Sequence, residues 1–271
     1  MNRKMIWAIA QKDMRSIWKT SKVWIGLILL PLLLGVIFPT VAVLVGRSMD
    51  ISDAAGSLVR MLEQLPLGNT EGLPTDNHRL VYFVVNFLLA PLFMLIPVIN
   101  ALMIAVNSFV GEKERRTLES LLFSPIEIKD LFIGKLLASF VPAYVSALGS
   151  FVLSGIIINV LAYPLFERMI FPSVNWLILM LWVIPAFTLF TILFSVWVSA
   201  RSKSFQEAQQ VAGVVVLPII GLLIAQSSGL LIIGPLLMAV LGVVLLVVSF
   251  ILVGFISKMN QRNVLFERQV Q

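Results

Sequence analysis

Residues 111–135 read Gly-Glu-Lys-Glu-Arg-Arg-Thr-Leu-Glu-Ser-Leu-Leu-Phe-Ser-Pro-Ile-Glu-Ile-Lys-Asp-Leu-Phe-Ile-Gly-Lys. They form a charged island between two long apolar runs. Ten of the chain's 34 Asp, Glu, Lys and Arg residues lie in it: Glu112, Lys113, Glu114, Arg115, Arg116, Glu119, Glu127, Lys129, Asp130 and Lys135. A short, structured, charged loop between apolar runs fits a docking surface better than a mere connector.

Outward from the island, the composition is that of a membrane protein. The 271 residues are 59% hydrophobic and 13% charged, with a mean hydropathy of +0.99. Runs of roughly 20 apolar residues suffice to cross a bilayer. Six are expected, at 23–46, 80–110, 136–162, 174–200, 211–225 and 230–257. No charge occurs between Glu207 and Lys258, a run too long for one helix. Gln226-Ser227-Ser228-Gly229 is the expected turn and Gly234-Pro235 a second break, with a short re-entrant piece between two helices. The first apolar run is too long, and residues 1–22 too charged, for a cleaved signal peptide. The chain has no cysteine and one histidine, His78. Disulfides and thiol chemistry are therefore excluded, and a metal site is not expected.

The net charge of +6 does not point to nucleic acid, because the basic residues flank membrane segments. With both termini and the 111–135 and 201–210 loops on one side, that side holds sixteen of the twenty Lys and Arg residues. The other side holds Arg47, Arg60, Arg79 and Arg168. The positive-inside rule makes the richer side cytoplasmic. The expected fold is thus all-α and polytopic: an N-terminal amphipathic interfacial helix over 1–22, then a six-span domain over 23–271. In that first helix Trp7, Ala10, Met14, Ile17 and Trp18 share one face, and Lys4, Gln11, Lys12, Arg15 and Lys19 the other. It is expected to lie along the membrane surface, lysines toward anionic headgroups. The extracytoplasmic loop, 47–79, carries an apolar stripe (Ile51, Ala55, Leu58, Leu62 and Leu65) stopped by Pro66, read as a short outer helix.

The island reads as helix, break, helix. Span two, 80–110, is longer than a bilayer requires, and the pattern favours its continuation. Glu112 and Arg116 are four apart with the acid first, as are Arg115 and Glu119 in the reverse order, a helical pairing distance. Leu118, Leu121 and Leu122 share a face. Ser124-Pro125-Ile126-Glu127 then has the form of a capping box with proline in the first turn. A second short helix with Ile128, Leu131 and Phe132 would lead into span three. The result is a rigid elbow.

Glu114-Arg115-Arg116-Thr117-Leu118-Glu119-Ser120-Leu121-Leu122-Phe123-Ser124-Pro125-Ile126, followed by Gly134-Lys135-Leu136, resembles the signature of ABC-2 type transporter permeases, the membrane subunits of ATP-binding-cassette exporters. Arg116 stands where many members have glycine. The resemblance implies a type V exporter-like fold with a cytoplasmic coupling helix between spans two and three. Glu112, Glu114, Arg115, Arg116, Thr117, Leu118, Glu119, Leu121 and Leu122 would meet the ATPase. It further implies a separate cytoplasmic ABC ATPase carrying ATP and Mg, a second copy or paralogous permease, and a prokaryotic plasma membrane. The resemblance favours export over import.

The chain lacks a Gly-x-x-x-x-Gly-Lys-Ser/Thr loop; Gly134-Lys135 precedes Leu136 and cannot cradle a phosphate. The chain itself is not expected to be catalytic or to bind a cofactor. No charge sits at the middle of a span, which argues against a proton-coupled carrier. Among the polar residues at depth, Asn86, Asn100 and Thr191 are the candidates for a substrate path, and Pro91 and Pro97 for hinges. An uncharged path suits an amphipathic, lipidic or drug-like cargo; a small ion would need carbonyl and amide ligands. A membrane-embedded hydrolase needs a glutamate pair plus histidines, but Glu112 and Glu114 lie on the side opposite the sole histidine. The remaining alternative is a non-transporting anchor or sensor that docks an ATPase.

The orientation is open to direct test. A tag at Gln271 should resist external protease in intact cells, while one inserted at Gly68-Asn69 should be cleaved. The opposite pattern would invert the topology.

Overall fold

In a bilayer every backbone N–H and C=O must find a partner within the protein. The computed structural model, which describes residues 3–19, 21–48, 73–114 and 128–259, meets this with helices alone; no strand occurs among the described residues. Helix α1 is Arg3–Lys19. Helix α2 is assembled from Ser21–Leu32, a π turn at Leu33–Ile37 and Phe38–Ser48. Helix α3 runs Asp76–Phe83, π turn Val84–Leu88, then Leu89–Glu114. Helix α4 is Ile128–Phe166. Helix α5 is Val174–Ile178, π turn Leu179–Val183 and Ile184–Ser199. Helix α6 is Phe205–Ala212, a 3-10 turn at Gly213–Val216 and Leu217–Ser227. Helix α7 is Pro235–Met259. From α2 to α7, all six are long and apolar enough to cross a membrane, so this is an integral, multi-pass membrane protein.

The irregular turns have one cause. Each stands just before a proline: Pro39, Pro91, Pro185 and Pro218 follow the three π turns and the 3-10 turn within three residues. Proline removes a helical donor and crowds the preceding turn, and a widened or tightened turn accommodates it. In each π turn one carbonyl accepts from a side chain on another helix. Ser154 Oγ donates to Gly35, Trp176 Nε1 to Val85 at 3.1 Å, and Tyr144 Oη to Met180 at 3.0 Å. Gly35 is four residues before Pro39, so its carbonyl lacks the usual i+4 N–H donor.

Helix α3 is the axis of the bundle. In its most apolar window 72% of residues are buried, against 17–28% for the corresponding windows of α2, α4, α6 and α7. It packs on α4 and α5, and α5 packs on α7. At one end of the core Trp176, fully buried, meets Phe171, Phe93 and Phe151 at 4.8, 5.2 and 5.9 Å. Asn159 shapes the α4–α5 connection there. Its Nδ2 donates to the Phe171 carbonyl (2.6 Å), and its Oδ1 accepts from the N–H groups of Ile170 and Phe171. His78 ties the start of α3 to the end of α4: Nε2 donates to the Leu165 carbonyl at 2.8 Å, and Nδ1 meets the Thr75 hydroxyl at 2.6 Å. Arg47 of α2 reaches the Leu161 carbonyl of α4 at 2.8 Å. The sole histidine is thus a strut.

Several boundaries differ from expectation. The short helix expected before span three is continuous with it, since α4 runs without interruption from Ile128. Span five begins at Phe205 rather than 211, because Ser204 caps it: Ser204 Oγ accepts from the Glu207 N–H, and Glu207 returns a bond to the Lys203 N–H. Span six starts at Pro235, not 230. The break after Gln226 is where expected; Gly229 takes a positive φ of 70°, which glycine adopts without strain. The expected outer helix from Ile51 to Leu65 lies outside the described residues.

Trp176 separates packing from hydrogen bonding. Trp176→Phe should cost about 1 kcal/mol by freeing the Val85 carbonyl, and Trp176→Ala about 3–5 kcal/mol by also emptying the aromatic cluster. Denaturation in detergent measures both; equal losses would contradict the assignment.

Candidate functional site

The charged elbow begins as the last turn of α3. That helix continues past Val110 to Glu114, so Glu112 and Glu114 stand on a direct extension of the central helix. Arg115, Arg116, Thr117, Leu118, Glu119, Leu121 and Leu122 lie outside the described residues, as does the capping box at 124–127. Ile128 is already helical, as the first residue of α4.

The base of the elbow is built from three helices. Lys135, near the start of α4, is 1% exposed. Its Nζ donates to the Ser108 carbonyl at 2.8 Å, to Ser108 Oγ at 3.1 Å and to Asp13 Oδ2 at 3.4 Å. Ser108, on the last turns of α3, donates its hydroxyl to the same carboxylate oxygen at 2.8 Å. The Phe109 ring lies 5.3 Å from the ammonium, and Phe109 meets Phe132 of α4 at 6.2 Å. Asp13 is itself buried, on α1, with Lys12 at 3.4 Å from its other oxygen. A buried ammonium is tolerable only with a counter-charge and its donors engaged, and this one has both.

Glycine lets the helices close to that distance. A Cβ on Gly134 would stand 2.8 and 2.9 Å from Ile9 side-chain atoms and 3.0 Å from the Ile6 carbonyl. The face of α1 turned inward is Ile6, Ile9, Ala10, Asp13 and Ile17. Of the stripe expected from sequence, Ala10 and Ile17 lie on this inward face and Trp7, 57% exposed, does not. The stripe is displaced by about one residue, and α1 lays it on α4.

From the sequence, Lys135 was one of the basic residues at a membrane edge and part of the Gly134-Lys135-Leu136 resemblance, with no partner assigned, and Asp13 had no role. The available signal was an acid at the third position of an otherwise apolar series (Ile6, Ile9, Asp13, Ile17), four residues from its neighbours on the helix face. Its partner lies 122 residues away, beyond any local pattern.

The three candidate path residues are buried, and the structure does not gather them. Asn100 donates to Ser146 Oγ at 3.0 Å, Asn86 to the Tyr82 carbonyl at 3.2 Å, and Thr191 to the Phe187 carbonyl of its own helix at 2.8 Å. Asn86 and Asn100 are fourteen residues apart on α3, roughly 21 Å along a helix. The Oδ1 atoms of both asparagines have no donor. Gln226, 1% exposed and with neither amide atom bonded, was not singled out from sequence. A small apolar pocket between α3, α5, α6 and α7, lined by Ala90, Pro91, Met94, Leu222, Ile233 and Met238 among others, includes none of these amides. Among the described residues no group of His, Cys, Asp and Glu is placed to hold a metal ion.

A protein-family model described as ABC-2 family transporter protein matches residues 7–264. A search of curated proteins found no match.

Gly134 tests the α1–α4 contact. Gly134→Val should lower stability by about 1–3 kcal/mol through overpacking against Ile9, and should expose α1 to limited proteolysis. Unchanged protection of α1 would contradict the close approach.

Proposed function

The chain belongs to the ABC-2 family of transporter proteins, a membrane component rather than a catalytic one, and from that premise we propose that it is the permease subunit of an ATP-driven exporter. A separate cytoplasmic ATPase binds the elbow. Two permease chains, identical or paralogous, pair in the membrane. Closure of the ATPases on ATP and Mg drives the elbows and opens a path outward. The chain breaks no bond; its work is vectorial.

The observation that carries this reading is the continuation of α3, the most buried spanning helix, through Glu114 into the elbow. A load applied there enters the centre of the bundle rather than a peripheral span. The matched positions Glu114, Arg115, Thr117 and Glu119 would make the contact, with Leu118, Leu121 and Leu122 supplying an apolar face among the charges. With this assignment both termini, α1 and the elbow are cytoplasmic, in keeping with the sixteen basic residues on that side. The uncharged interior favours an amphipathic, lipidic or drug-like cargo. Asn86, Asn100 and Thr191 are the polar groups such a cargo would pass, once pairing of two chains and opening expose them.

The test is purification in mild detergent from the native cell. A stoichiometric soluble ATPase should accompany the wild-type chain, and Arg115→Glu or Leu118→Asp should insert normally yet lose it. Retention of the ATPase and of ATP-dependent transport by both variants would overturn the elbow's role. An ATPase that binds without any ATP-dependent movement of cargo would favour an anchor.

A further inference from the structure

We propose that Lys135 and Asp13 are positioning residues that clamp the two arms of the elbow together and fasten α1 to them, so that the elbow and α1 move as one body. The proposal rests on the reading of the elbow as the ATPase contact, and adds residues that lie outside that contact.

The geometry is a closed loop. Ser108 precedes the elbow and Lys135 ends it. The ammonium grips both the carbonyl and the hydroxyl of Ser108, at 2.8 and 3.1 Å, across 27 residues of chain. Two helical arms joined only at a tip splay when the tip is pushed, and the displacement is lost in bending. Arms joined at the base turn together. The apolar contact of Phe109 with Phe132 is non-directional and permits sliding; three hydrogen bonds to one buried ammonium do not. A buried charge also resists separation, because parting the arms would take from the ammonium both of its Ser108 acceptors, and from Asp13 its Ser108 donor, in a low-dielectric site.

Asp13 extends the clamp to a third helix. Its Oδ2 takes a bond from Ser108 at 2.8 Å and one from Lys135 at 3.4 Å, so it contacts both arms at once. Only one residue separates α1 from α2. Movement of the elbow is thereby passed to spans one, two and three together. Gly134, which admits Ile9 and the Ile6 carbonyl so closely, holds α1 at the distance the ion pair needs.

The chain has no cysteine, so introduced cysteines are its only labelling sites when it is spin-labelled before the ATPase is added. Met169 and Leu230, 80% and 83% exposed, lie in the α4–α5 and α6–α7 connections at the end away from the elbow. The experiment uses the full permease–ATPase complex in lipid nanodiscs, labelled at these two positions, with and without Mg-ATP and vanadate. The wild-type label distance should change with nucleotide. In Lys135→Met the ATPase should still co-purify and hydrolyse ATP, while the distance change falls about tenfold, the loss of a coupling interaction. Lys135→Arg, which keeps the charge and its donors, should restore most of it. Ser108→Ala and Asp13→Asn, gentler changes, should give intermediate losses. A full distance change in Lys135→Met would overturn the clamp; should that variant not fold, full changes in both Ser108→Ala and Asp13→Asn would overturn it equally. Loss of hydrolysis in parallel with movement, with no recovery in Lys135→Arg, would also count against it. A wild-type chain that binds no ATPase would refute the underlying reading instead, before any variant is made.

Discussion

Hydrocarbon offers a peptide group no hydrogen bond, and the organisation of this protein follows from that constraint. It makes every described spanning segment a helix. It also governs how the helices deviate. Pro39, Pro91 and Pro185 each disturb a ladder, each is preceded by a π turn, and each turn has a carbonyl served from a neighbouring helix by Ser154, Trp176 or Tyr144. Thr188, Thr191 and Ser249 return their hydroxyls to carbonyls four residues back in their own helices. Polar side chains in the interior therefore serve mainly as partners for the backbone. Asn86, Asn100, Ser195, Ser199 and Gln226, which keep unbonded atoms, are among the exceptions.

The same constraint drives charge to the ends of the helices, and function with it. Far from the elbow, Arg47 and His78 spend their donors on carbonyls at the end of α4. At the elbow end, Lys135 does the same for the end of α3 but adds an acid from α1. That difference matters mechanically. The far end is tied by neutral acceptors near solvent, where a bond lost is readily replaced by water. The elbow end is tied by a buried pair whose rupture leaves charge uncompensated. On the proposed reading, one end is suited to opening and the other to holding together while it is pushed.

Much of this was legible in the sequence because it is local. Apolar length gave six spans, Gln226 to Gly229 gave the break, and the pairing of Glu112 with Arg116 pointed to a helix running on from span two, which the structure follows as far as Glu114. What escaped was non-local or small in scale. Asp13 was hidden by a stripe drawn one residue off and by a partner on another helix. The π turns have no periodic signature; their sign is a proline whose effect depends on the carbonyls and side chains nearby. The cap by Ser204 and Glu207 was present in the sequence as Ser-x-x-Glu, but the apolar run after 211 drew the boundary to itself. For the candidate path, residue type alone singled out Asn86, Asn100 and Thr191; it could not reveal that each already has a bond within the bundle.

The central claim is that the elbow is where an ATPase engages a permease. A scan of single cysteines through residues 111–135 of this cysteine-free chain, each cross-linked in the native membrane, tests it most directly. Cross-links to one cytoplasmic ATPase that peak between Glu112 and Phe123, on the face of Leu118 and Leu121, are the predicted result. Cross-links absent from that stretch, with the ATPase captured from the 201–210 loop or not at all, would contradict the account.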